Sequence, residues 1–206
     1  MRRVADSTVR RLSLYLRYLE ECETEGTATL SSAALAARGG TTSAQVRKDL
    51  SFFGSFGKRG LGYPVGELAQ RLRQILGLDR RYRLVVIGAG RIGRALVRYR
   101  GFRERGFDIV GLYDRDPAKI GVRCDALTTL DQAELEQHLA REPADIGVIV
   151  TPADQAQEMA DRLVRCGVRA ILNFAPVQLV VPSHVALKHV NLTLELEALS
   201  FALAAR

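Results

Sequence analysis

Cysteine is scarce in this chain and widely scattered. Cys22, Cys124 and Cys166 are its three cysteines in 206 residues, odd in number and far apart, which excludes a CxxC metal or redox motif. Idle thiols in a reducing compartment are the reading they support. No stretch approaches 18 consecutive apolar residues, so no membrane partner is expected. The opening MRRVADSTVRR lacks the apolar core of a signal peptide, and a cytoplasmic protein is expected. Histidine is sparse too. His138 lies in an amphipathic helical stretch, His184 and His189 flank VALK, and none stands where a general acid–base would be looked for. No metal site, internal repeat or low-complexity segment is visible.

What remains is an ordinary globular composition, 47% hydrophobic, enough for a real core in one large domain or two small ones. Charge is uneven. Residues 1–80 hold 13 Lys and Arg against 8 Asp and Glu, and residues 81–206 hold 17 against 15. Most of the basic excess therefore sits in the smaller, N-terminal part, which suggests a polyanionic partner for it.

That part reads as helices. Ser7 is a candidate N-cap for a helix over 7–23, with Val9, Leu12, Leu16 and Leu19 on one face. Ser31 or Ser32 would cap a short Ala-rich helix closed by Gly39-Gly40. TTSAQVRKDLSFF then begins another helix, running to about Phe52, with Val46, Leu50 and Phe53 available to pack inward. Two short helices around a tight turn make a helix-turn-helix candidate. Ser43, Gln45, Arg47, Lys48 and Ser51 supply donors suited to phosphates and base edges. The next stretch, GSFGKRGLGYPVG, suits a small β-hairpin whose tip carries Lys58, Arg59 and Gly60, with Tyr63 on its returning leg. Arg47-Lys48 alone would read as a solvated helix face. Beside a basic wing, the pair points to a winged helix that binds DNA. One more amphipathic helix, Val65–Leu76, and a polar joint, GLDRRYR, close a domain over 1–80.

The second part is organised around Leu84–Asp114. An apolar run leads into Gly88-Ala89-Gly90-Arg91-Ile92-Gly93, a helical stretch follows, and a second apolar run ends on Asp114, 21 residues after Gly93. This is the strand–turn–helix–strand–acid order of a dinucleotide-binding βαβ unit. Gly88 permits the turn, Gly90 lets the backbone approach a pyrophosphate, and Gly93 lets helix and strand pack closely. A purely structural glycine turn is the plain alternative. Beyond Asp114 the chain alternates helices with the apolar strands Ile146–Thr151 and Val168–Asn173, which predicts a doubly wound parallel sheet. Thr151-Pro152 and Asn173-Phe174-Ala175-Pro176 fall, like Gly88 and Asp114, at strand carboxyl ends, where one ligand could reach all of them. The last segment, Leu194–Ala205, is a helix apolar over much of its circumference. It must be buried, either on its own sheet or in a second subunit.

Two other functional classes stand beside this reading. A small NAD-dependent oxidoreductase would need a substrate domain, and the part after residue 80 leaves none. A CoA- or nucleotide-binding module would use the same turn, and Asp114 weighs against it.

The two halves together resemble the Rex family of redox-sensing transcriptional repressors. The resemblance is carried by RLSLYLRYL (Arg11–Leu19), QVRKDLSFFGSFGKRGLGY (Gln45–Tyr63), VIGAGRIGRAL (Val86–Leu96), YRGF (Tyr99–Phe102), YDRDPAKIG (Tyr113–Gly121) and ILNFAPV (Ile171–Val177). It implies a homodimer, not an enzyme, that binds double-stranded operator DNA through a winged helix (1–80). A Rossmann domain (81–190) would sense NADH against NAD, with NADH releasing the DNA, and a C-terminal dimerisation helix (191–206) would be swapped between subunits. It further implies that Arg47 and Lys48 enter the major groove, that Lys58 and Arg59 follow the backbone or minor groove, and that residues 88–93 hold the pyrophosphate. Asp114 would accept the ribose hydroxyls, and Tyr99 would lie near the nicotinamide. Arg17 matches an arginine that pairs with an aspartate before the swapped helix. The expected aspartate position is Asn191 here, and the neighbouring aromatic is Leu192, so the switch lacks the charge assistance of an Arg–carboxylate pair. Arg115 adds a cation beside the ribose acid.

Overall fold

The structure is a computed structural model that describes residues 4–57 and 61–205. The chain divides into two compact units, residues 1–80 and 81–206.

In the first unit, α1 (Asp6–Thr24) is followed by β1 (Thr29–Leu30), α2 (Ser32–Gly39), α3 (Ser43–Ser51), β2 (Tyr63–Pro64) and α4 (Val65–Ile75). The α1 stripe that is buried runs through Leu12, Tyr15, Leu16, Leu19 and Cys22, against Leu35, Val46, Leu50, Leu68 and Leu72. Each such leucine contributes about 1.5–3 kcal/mol by leaving water. Two expectations for α1 are corrected. Ser7 lies inside the first turn, because Ala5 is the N-cap, and Val9 is 40% exposed because Tyr15 and Cys22 continue the stripe in its place. Downstream, Ser31 accepts from the Ala34 N–H at 3.0 Å and Thr42 from the Gln45 N–H at 3.1 Å, so each helix of the α2–α3 pair starts on a hydroxyl cap.

The expected hairpin takes a different form. Tyr63 and Pro64 pair antiparallel with Leu30 and Thr29, between α1 and α2, and not with residues 54–57. A Cβ on Gly57 would overlap the Gly62 carbonyl, so the two legs touch through bare backbone. Glycine-rich legs offer no cross-strand side-chain pairs to hold a ladder. Lys58, Arg59 and Gly60, the expected tip, lie outside the described residues.

A buried carboxylate fixes α3 to α1. Asp49, 3% exposed, receives Arg11 through both oxygens (2.6 and 2.8 Å), the Tyr15 hydroxyl at 3.0 Å and the Gln45 amide at 2.8 Å. Burial pushes its pKa up, but hydrogen bonds from Arg11, Gln45 and Tyr15, with the Arg11 charge, leave it below the ordinary carboxylate value. Asp49→Asn is expected to cost about 2–3 kcal/mol, since it strands the Arg11 charge in a partly buried site. Thermal melts check this. A depressed folded-state pKa stabilises above the unfolded value and loses that contribution as pH falls through the folded one. The acid limb of wild-type stability should therefore be steeper than that of the asparagine variant.

The second unit contains β3 (Tyr82–Ile87), α5 (Arg91–Arg98), α6 (Arg100–Glu104), β4 (Phe107–Asp114), β5 (Arg123–Cys124), β6 (Leu127–Asp131), a 3-10 turn (Gln132–Glu134), α7 (Leu135–Arg141), β7 (Ile146–Ile149), α8 (Ala153–Arg165), β8 (Ala170–Asn173), β9 (Ala186–His189) and α9 (Leu192–Ala204). The sheet order is β5-β6-β4-β3-β7-β8-β9, parallel except for β5. Along β3, Val85 and Ile87 pack with Leu135, Met159 and Leu163 of α7 and α8, while Leu84 and Val86 pack with Leu96 and Val97 of α5 on the opposite face. Both faces are thus covered, as continuous apolar strands require. The chain winds one way from β3 through β4 to β6 and the other way from β7 through β8 to β9. The switch point, where such sheets open a crevice, therefore falls between β3 and β7.

The last helix departs from the rest. α9 buries none of its residues, so packing on its own sheet, one of the two expectations, is not what it does.

Candidate functional site

α3 presents its cations outward. Arg47 and Lys48 are exposed, Arg47 reaching the Ser32 hydroxyl at 3.1 Å and Ser51 donating to the Lys48 carbonyl at 2.9 Å. Gln45 was expected to be a free donor on this face, but its amide is committed to Asp49. Ser43, the first residue of α3, is half-buried, as is Tyr63, whose hydroxyl pKa is raised by burial. The surface cations of α3 therefore stand on a helix whose tilt is set by the Asp49 network.

In the second unit, the glycine turn is built as its spacing demands. Gly88 has φ +113, and a Cβ there would meet the Val150 carbonyl oxygen at 2.8 Å. A Cβ on Gly93 would overlap the Gly88 carbonyl, so α5 packs hard onto the end of β3. Gly90 differs from both. It is the N-cap of α5 at φ -74 and ψ -168, with nothing within 4 Å of a notional Cβ, so its open side is space for a ligand and not a packing requirement. The N–H groups of Arg91, Ile92 and Gly93 precede the first intrahelical bond, Arg94 N–H to the Gly90 carbonyl at 3.0 Å. Unspent donors at a helix N-terminus attract phosphate.

These residues border a cleft of about 770 Å³, lined among others by Gly88, Gly90, Asp114, Lys119, Gln132, Thr151, Pro152 and Gln155. Asp114, 7% exposed, ends β4. Its Oδ2 accepts from the Ala89 N–H at 2.7 Å and Lys119 Nζ at 3.2 Å, and its Oδ1 from the Asp116 N–H at 2.9 Å. The Ala89 N–H is therefore spent on the acid and is not available to a phosphate. Burial raises the Asp114 pKa, but the Asp116 and Ala89 amides and Lys119 outweigh it, so the group sits below the usual carboxylate range and stays ionised. The Thr151 hydroxyl, just past the end of β7 on the other side of β3, is buried without a hydrogen-bond partner. An orphaned hydroxyl, an anionic carboxylate and an open glycine on one cleft match a dinucleotide's hydroxyls and phosphates.

Other predicted residues lie apart from this cleft. Asn173 is fully buried, with its amide holding the Ala175 and Val177 carbonyls (3.1 and 2.9 Å), so it braces the loop of Phe174, Ala175 and Pro176. Tyr99 is 61% exposed, edge-on to Phe102, in a separate groove with Arg98, Arg100 and Arg103. Asn191 is the N-cap of α9, accepting from the Thr193 N–H at 3.0 Å. Arg17 is exposed on α1, in the other unit. Cleft residues that the sequence reading did not single out include Lys119 and two glutamines, Gln132 and Gln155. The strand-end rule could have found both, since Gln132 follows β6 and Gln155 follows Thr151-Pro152. Among the described residues no helix is long and apolar enough to cross a membrane, and no group of three or more His, Cys, Asp or Glu is placed to hold a metal.

Family models match both parts of the chain, "putative DNA-binding protein N-terminus" over residues 3–51 and "CoA binding domain" over residues 79–177. The redox-sensing transcriptional repressor Rex of Carboxydothermus hydrogenoformans is 49% identical over 199 residues, covering 97% of this chain and 96% of the relative. That of Pelotomaculum thermopropionicum is 46% identical over 201 residues, 98% of this chain and 94% of the relative. The chain belongs to the Rex family. Among solved structures, RSP in complex with beta-NAD+ and operator DNA superposes with a TM-score of 0.94 at 41% identity, over 98% of this chain and 94% of that one. RSP in complex with beta-NADH gives 0.88 at 40% identity, over 97% and 94%. As a Rex family member the chain is a transcriptional repressor and not a dehydrogenase. Two of its three histidines have structural surroundings, His138 lying 3.3 Å from Glu134 and packing near Tyr113 and His189 meeting Asn173 at 3.1 Å, while His184 is exposed.

Proposed function

We propose that this Rex family repressor is a cytoplasmic homodimer that binds operator DNA through residues 1–80 and releases it when NADH enters the cleft of residues 81–190. The observation that carries the reading is the cleft itself, where the open side of Gly90, the ionised Asp114 and the unpartnered Thr151 hydroxyl face one space. The relative whose fold it shares at 41% identity was solved with beta-NAD+ and operator DNA.

In this reading the pyrophosphate lies on the free N–H groups of Arg91, Ile92 and Gly93, beside Gly90. Asp114 accepts the adenosine ribose hydroxyls and repels a 2′-phosphate. Arg47 and Lys48 contact base edges and phosphates, and the wing residues Lys58, Arg59 and Gly60 follow the adjacent backbone. α9 supplies the dimer contact, and Tyr99, Arg17 and Asn191 belong to the coupling between dinucleotide and DNA. NADH need only favour a dimer arrangement whose two recognition helices cannot span two half-sites.

Linkage makes this testable without knowing the regulated genes. NADH and a palindromic operator must weaken each other's binding by the same factor. Titrating NADH against the free protein and against the protein–operator complex should give two affinities differing by the factor through which NADH lowers operator affinity. Equal affinities would sink the proposal. Arg47→Ala with Lys48→Ala should lower operator affinity about 10- to 100-fold, as expected for one or two lost base or phosphate contacts. NADH binding should be unchanged; anisotropy with labelled operator reads the first quantity and NADH fluorescence the second.

A further inference from the structure

Gln132 and Gln155 are buried polar groups that the reading above leaves unused. Each is 8% exposed and lines the cleft that holds Asp114. Neither side-chain amide makes a hydrogen bond among the described residues, and both border the open cleft, so each is free to pair with a molecule that enters it. Their backbones, by contrast, are firmly held. The Gln132 carbonyl accepts from Arg162 of α8 at 2.8 Å, and the same guanidinium clamps Glu136 of α7 through Nε at 2.6 Å. The Glu136 carboxyl is lowered to about 2, chiefly by that hydrogen bond. Gln155 sits in the first turn of α8, its N–H on the Pro152 carbonyl at 3.2 Å. Both amides are thus mounted on a braced frame and directed at a space with no protein partner in it.

Ligand chemistry decides what belongs in that space. If Gly90 takes the pyrophosphate and Asp114 the adjoining ribose, the base on that ribose lies within the same cleft, about one ring's width from the carboxylate. Adenine presents an amino donor next to ring-nitrogen acceptors, and a carboxamide offers the complementary acceptor and donor. We propose that Gln132 and Gln155 hold adenine by its amino edge, so that the cleft selects the base as well as the ribose. This inference rests on the dinucleotide reading of the cleft and adds base recognition to it. Of the charged neighbours, Asp114 is engaged with Lys119 and the Ala89 and Asp116 amides, and Lys119 with the Asp114 and Asp116 carboxylates.

The test compares NADH with reduced nicotinamide purine dinucleotide, which lacks the 6-amino group and puts nothing in its place. Both are titrated by fluorescence against the full-length protein and a Gln132→Leu, Gln155→Leu variant. Wild type should bind NADH about tenfold tighter than the analogue, as expected for one lost hydrogen bond that leaves a buried partner unsatisfied. The variant should bind both within about twofold of each other. Wild type that does not discriminate, or a variant that still does, overturns the inference and leaves the dinucleotide reading intact. Wild type that binds neither overturns both. The single variant Gln155→Leu, read the same way, serves if the double variant does not fold.

Discussion

Replacing Gly90 with aspartate is expected to leave the protein folded and to abolish its response to NADH. The backbone at Gly90 is extended, as any residue can be, and a Cβ there meets nothing within 4 Å. Aspartate is also among the best N-caps, so α5 should gain stability from it. The same carboxylate would stand where a pyrophosphate must sit. Two like charges 4 Å apart at an effective dielectric of 20 repel by about 4 kcal/mol, so NADH affinity should fall at least about 100-fold. Operator affinity should persist at every NADH concentration, giving a repressor that no longer releases. Gly93→Ala makes the contrast. Its methyl would overlap the Gly88 carbonyl, so it should lower stability by about 2 kcal/mol or more, as overpacking does. Equal effects of the two substitutions on melting temperature would contradict the distinct roles assigned to these glycines.

The second large effect is expected at α9. Leu192, Leu194, Leu196, Leu199, Phe201 and Leu203 are between 59% and 75% exposed. A patch of that kind marks an interaction surface. Leu196→Glu with Leu199→Glu should convert the proposed dimer to a monomer by sedimentation, with the circular dichroism of both units unchanged. A monomer reaches one half-site only, so operator affinity should fall by about 100-fold or more. A variant that stays dimeric would place the dimer contact elsewhere.

The sequence announced the cofactor cleft more clearly than the DNA-binding face, and the reasons are physical. Glycines at 88, 90 and 93 with an acid at 114 are constrained by backbone geometry, which leaves few substitutes and so a legible spacing. Surface donors carry no such signature. Gln45 reads identically whether it awaits a base or, as found, caps a buried carboxylate 38 residues from its arginine. The edge strands β5 and β9 were missed because they are only two and four residues long, with no alternation strong enough to set them apart from loops. The hairpin was expected from its glycines, but β2 found its partner in β1, thirty-odd residues earlier, a pairing that local pattern does not encode. Gln132 and Gln155 escaped notice because glutamine at the start of a helix usually faces water, and only tertiary packing shows that these two do not.

Asn191, the cap of α9, bears on how the proposed switch could be tuned. Asparagine and aspartate cap helices equally well, so α9 starts as securely with one as with the other. The two residues differ in a full negative charge at the root of the helix. In the proposed switch, a position where folding is indifferent and electrostatics is not would let single substitutions shift the redox threshold without renegotiating the stability of the chain.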